Sequence, residues 1–249
     1  MLKQIYYSTR ERLSVRIAAL MITLGVNFLF VLLAIVVPGS GVMITAVVFS
    51  SLTLAYLIMA NMFVSFAGIH EVFSAPKGYH TLLAPVPAWK IILGRVAPAA
   101  IMDTVMMAIG ISFVVWQSLR LTGITWLSAL PRAYVTQEIL FGMASAMAGY
   151  ALMLTVYCFF RAISKSVLYR APARTLLGIL LTIAALWLVS SLFNLLLLPF
   201  GSVDVWRLVV FISLHSSPIV RVMFVLVTLL QAAVFFLASA RLMERRLNV

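Results

Sequence analysis

Apolar residues come in six long runs, at 17–37, 42–69, 98–119, 133–160, 175–198 and 219–240, and the polar breaks between them differ sharply in length. A helix needs about 20 predominantly apolar residues to cross a hydrocarbon core of about 30 Å, and each run meets that length. The pattern predicts six membrane-spanning helices. The second run is longer than a core requires and must tilt or project.

The breaks predict the connections. Pro38-Gly39-Ser40-Gly41 is a tight turn by residue type. Residues 120–132 form a short polar and aromatic link, and residues 161–174, with Arg161, Lys165, Arg170 and Arg174, form a basic one. The third run opens on Pro98, a residue tolerated at the first helical position. In the link 199–218, residues 203–214 are apolar; about 12 residues suit a re-entrant or interfacial segment rather than a crossing. At the start, Leu2, Ile5, Tyr6, Thr9 and Leu13 share one helical face, and Lys3, Arg10 and Ser14 another. Residues 1–16 therefore read as an amphipathic interface helix, which also serves as a basic flank. The expected fold is all-α, a polytopic six-helix membrane protein forming one transmembrane domain.

Composition agrees. Of 249 residues 64% are hydrophobic and only 10% charged, with a mean hydropathy of +1.15, whereas soluble domains keep about a quarter of their residues charged. The net charge of +12 would point to nucleic acid in a soluble chain. In a membrane chain its distribution decides. With the N-terminus inside, Lys3, Arg10, Arg12, Arg16, Lys77, Lys90, Arg95, Arg161, Lys165, Arg170, Arg174, Arg241, Arg245 and Arg246 fall on one side, and Arg120, Arg132, Arg207 and Arg221 on the other. That asymmetry is the positive-inside pattern and places both ends in the cytosol, with no role for nucleic acid. The lone Cys158 permits no intrachain disulfide. No cleavable leader is expected ahead of the first full-length run.

Chemistry-bearing motifs are few. The phosphate-binding pattern GxxxxGK[ST] does not occur, nor does HExxH, because His70-Glu71 continues as Val72-Phe73-Ser74. There is no GxSxG elbow, and His70, His80 and His215 fall on two sides of the predicted membrane. No catalytic or metal site is expected, and no cofactor bound by this chain. Ionisable and amide side chains inside spans are costly and so more informative. Asp103 and Glu138 lie about a turn inside their runs, with pairing to a nearby Arg or contact with a transported species as competing readings. Asn27, Asn61, Asn194 and Gln231 lie deeper, where they bond neighbouring helices or line a pathway.

The break at 70–97 is too long for a hairpin. It fences a short helix-capable piece, residues 79–84, between Pro76-Lys77-Gly78 and Pro85-Val86-Pro87. Its order of Glu71, then Lys77-Gly78-Tyr79-His80-Thr81-Leu82-Leu83, Pro85-Val86-Pro87 and Ile91-Ile92-Leu93-Gly94-Arg95, resembles the loop between the second and third helices of ATP-binding-cassette exporter permeases of the second type. It departs from that pattern where Tyr79-His80 separates Gly78 from Thr81, and where Ala88 replaces Ser or Thr. The six-span layout, amphipathic start, apolar insertion before the last run and basic end extend the likeness along the chain. The resemblance implies a permease subunit of the inner membrane. It would dimerise with a second copy or a homologous permease, contact membrane lipid, and sit on separate ATPase subunits that bind ATP and Mg. Glu71, Lys77, Tyr79, His80, Thr81, Leu82 and Leu83 would then engage the ATPase through a coupling helix. A secondary transporter or channel using Asp103 and Glu138 stays open beside it, as does an intramembrane enzyme.

Overall fold

A computed structural model describes residues 2–37, 39–73, 87–122, 132–168, 173–197 and 218–247. All six elements are helical: α1 Leu2–Val36, α2 Ser40–Phe73, α3 Ala88–Thr122, α4 Arg132–Ser166, α5 Arg174–Leu197 and α6 Pro218–Leu247. Each contains a stretch long and apolar enough to cross a membrane. Their exposure is that of lipid-facing helices, with Met21, Leu29, Val36, Phe63, Trp187 and Leu195 all more than 60% open. In water such surfaces would aggregate; in lipid the helices satisfy their own backbone groups and the apolar surface faces chains of like kind. The protein is a multi-pass all-α membrane protein.

The helices are longer than the apolar runs. At 1.5 Å per residue, the 35 residues of α1, α3 and α4 extend about 52 Å, against a core of about 30 Å. Three expectations change in consequence. Residues 2–16 are not a separate helix: α1 runs unbroken from Leu2 to Val36. The basic link after α4 shrinks to 167–173, because Arg161 and Lys165 lie in the last turns of α4 and Arg174 begins α5. The third helix starts ten residues earlier than expected, leaving Pro98 inside it. The physical reason is that Ala88, Ile91, Ile92, Val96 and Ala99 recur at helical spacing and are all buried. Pro87 accepts the first turn through Lys90 N–H at 3.0 Å, and the Lys90 ammonium lies 5.3 Å from the Trp89 ring centre. Pro98 removes one helical hydrogen bond, and the carbonyl its ring crowds is that of Gly94.

The chain forms two compact units, Met1–Gly68 with Ala97–Met143, and Ile69–Val96 with Ala144–Val249. In the first, Phe30 and Phe49 stack at 4.7 Å between α1 and α2. α2 and α3 close around Gly110, where a Cβ would lie 2.6 Å from a Leu57 methyl. In the second, Phe159 of α4 meets Phe235 of α6 edge to face at 5.3 Å, and α5 packs on α4 at Gly178, where a Cβ would lie 2.3 Å from Ser164 Oγ. The apolar segment expected at 203–214 lies outside the described residues.

Candidate functional site

Within the first unit a file of buried polar side chains runs along α1, α2 and α3. On α1, Arg12, Arg16, Ala19, Thr23, Asn27, Val31 and Ala34 follow three- and four-residue steps; all but the half-buried Arg12 are buried. This face extends back through Arg16 to Arg12, ahead of the apolar run that begins at residue 17.

The file begins with an ion pair. Arg16 is 3% exposed and Asp103 fully buried; the guanidinium Nε donates to Asp103 Oδ1 at 2.6 Å. Ser65 completes the set, accepting from Arg16 Nη2 at 2.8 Å and donating to Asp103 Oδ2. One residue from each of three helices therefore shares one proton-rich network. Beside it, Arg12 Nη1 donates to the carbonyl of Val64 at 2.6 Å, and its guanidinium lies over Gly68, where a Cβ would come within 3.3 Å. A side chain at 68 would require the guanidinium to shift by a few tenths of an ångström.

Depth follows from helical rise. Arg16 is 20 residues, about 30 Å, from the far end of α1 at Val36. The ion pair thus lies near the membrane boundary on the side of the 74–86 loop. Farther in, Asn27 Nδ2 donates to Thr23 O and Thr53 Oγ1, both at 2.7 Å, and Thr23 Oγ1 bonds the carbonyls of Ala19 and Thr53. Asn61 and Gln117 are fully buried, and among the described residues none of their four amide atoms has a hydrogen-bond partner. Ser50 of α2 and Gln117 of α3 are both fully buried. Asp103 and Gln117 are 14 positions apart, about 21 Å of helix. The file covers most of an apolar core, and it retains unspent donors and acceptors along its length. A buried amide without a partner costs about 1–3 kcal/mol on protein scales, so these positions are maintained against a penalty.

Of the expected site residues, the structure brings Asn27, Asn61 and Asp103 into this one file. Gln231 is buried on α6 in the other unit. Glu71 is half-buried in the last turn of α2. Glu138 and Asn194 lie on α4 and α5 with side chains outside the described set, and Lys77, Tyr79, His80, Thr81, Leu82 and Leu83 lie outside the described residues altogether. Arg16, Ser65, Thr53 and Gln117 were not anticipated. The four-residue spacing of Arg12 and Arg16, continued by Thr23 and Asn27, was the signal that marks an inward polar face.

What the fold and the file define is a polytopic helical membrane protein with an internal polar seam. Comparison with protein-family models, curated proteins and solved structures gives no match to this chain.

Proposed function

We propose that this chain is the transmembrane permease subunit of an ATP-driven exporter, with a separate cytosolic ATPase as its motor. The observation that carries the reading is the Arg16–Ser65–Asp103 network, which ties α1 to α2 and α3, the two helices joined by the loop whose sequence resembles a coupling segment. A push on that loop reaches the ends of α2 and α3, and through the ion pair it reaches α1. The polar file leading away from this point supplies hydrogen-bonding positions for the polar part of an amphipathic, peptide-like or lipid-linked substrate, while fixed charge deeper in the file is sparse. Two copies, or one copy and a homologous permease, would complete the pathway, and ATP with Mg would be held by the partner subunits. The cation asymmetry supports a cytosolic position for the loop and both chain ends, and the resemblance implies the inner membrane as the location. A proton-coupled carrier would use the same Asp103. Its carboxylate is already engaged by Arg16 and Ser65, so taking up a cation there would cost that pairing.

The test begins with gentle solubilisation and identification of what co-purifies, with a stoichiometric subunit bearing a GxxxxGK[ST] loop as the expected result. In that complex, Leu82→Asp with Leu83→Asp should leave the permease in the membrane and abolish its stimulation of ATP turnover. Transport that follows a proton gradient with no ATPase present would overturn the reading.

A further inference from the structure

The second unit contains a feature the transport reading does not use. A cleft of about 490 Å³ opens where the end of α2, the last turns of α4 and the first turn of α5 meet. Arg161 and Lys165 of α4 and Arg174 of α5 line it, with His70, Ser164 and Thr175, and no carboxylate is among its lining residues. Like charges do not gather around a cavity without cost. His70 and Lys165 have other interactions; Arg161, Arg174 and Ser164 are the groups that an anion would meet.

Three independent observations point to an anion. Ser164, one of the lining residues, is 6% exposed, and its hydroxyl has no hydrogen-bond partner among the described residues. Leu177 N–H bonds the carbonyl of Ala173, which marks Ala173 as the residue before the helix. Ala173 has no side-chain acceptor, so the amides of Arg174 and Thr175 at the positive end of α5 are uncapped by it. The arginines supply planar donors suited to phosphate oxygens. Gly178 makes this geometry: its bare Cα lets α5 approach Ser164 and Phe160, bringing Arg174 one turn away toward Arg161.

Depth and apolar surroundings select the source. The apolar stretch of α2 ends at Phe73 and that of α4 at Ser166, and that of α5 begins at Arg174, so the cleft lies at headgroup level. On the face of α5 that carries Arg174, Leu177, Leu181 and Leu188 follow at helical spacing, each at least 39% exposed. That stripe is a surface for an acyl chain. We infer that the cleft binds the phosphate of an anionic glycerophospholipid, with the lipid tail lying along α5. This assignment stands whether or not the chain is a permease.

The test uses the full chain purified in neutral detergent, with native mass spectrometry to count retained lipid and thermal shift to titrate it. One phosphatidylglycerol per chain should bind more tightly than phosphatidylcholine. Arg161→Gln with Arg174→Gln should weaken it at least about ten-fold, and Arg161→Lys with Arg174→Lys should retain most of the binding. In the unaltered chain, raising salt from about 50 to 500 mM should weaken it as well, which keeps the test valid if the Gln variant misfolds. Glycerol 3-phosphate, which lacks tails, should compete only at far higher concentration. Equal affinity for it would place the source in soluble phosphate esters and overturn the lipid assignment. Phosphatidylglycerol binding that is no tighter than phosphatidylcholine, or unchanged in the Gln variant, would overturn the site.

Discussion

Arg16 and Asp103 are separated by 87 positions in sequence and by 2.6 Å in space, and neither is tolerable without the other. A buried charge deprived of its partner costs about 3–5 kcal/mol, whereas replacing the whole pair with apolar residues is often neutral. Asp103→Asn is therefore expected to destabilise the chain by about 3–5 kcal/mol, because Arg16 is left charged with only Ser65 and an amide to face. Arg16→Leu with Asp103→Leu should recover most of that loss. The comparison is a thermal melt of both variants in one detergent; a single variant as stable as the unaltered chain would mean that water reaches the pair. Deeper in the file the stakes are smaller. A double-mutant cycle on Asn27 and Thr53 should give a coupling of about 0.6 kcal/mol, the size usual for polar contacts between membrane helices. A coupling near zero would remove that bond from the account.

At the level of elements, the six helices were legible because apolar length alone identifies a span. Their ends were not. The start of α3 lies among Trp89, Lys90 and Arg95, which read as loop until Ala88, Ile91, Ile92 and Val96 are seen to share a buried face. Pro98 then misleads, since a proline is expected at a helix start and the lipid-embedded helix accommodates it inside. The ion pair was half legible: Asp103 was an evident intramembrane carboxylate, but a count of flanking cations cannot tell which arginine turns inward. Gly178 was equally silent, since its role depends on Ser164 and Phe160 of another helix. Gly178→Leu should force α5 from α4 and cost about 1–3 kcal/mol by overpacking. It should also reduce phosphatidylglycerol retention, since Arg174 moves with α5. Unchanged melting and lipid binding would show that α5 repositions freely.

For the whole molecule, the face of the membrane that holds the 74–86 loop decides the mechanism, since a loop on the outer side could meet no cytosolic ATPase. Cys158 makes the question tractable. It is the only cysteine in the chain and is 1% exposed, so the unaltered protein should resist a membrane-impermeant thiol reagent, and Cys158→Ala gives a clean background. In that background Gly78→Cys reports on the loop, and Gly39→Cys reports on the turn between α1 and α2. The 34 residues of α2 exceed one hydrocarbon thickness, so the segments before and after it are expected to be reached from opposite sides. In sealed right-side-out vesicles Gly39→Cys should label at once and Gly78→Cys only after the membrane is opened. The reverse order would invert the chain, place Arg161, Lys165 and Arg174 outside against the positive-inside rule, and remove the ATPase from the proposed mechanism, while leaving the ion pair and the polar file where they are.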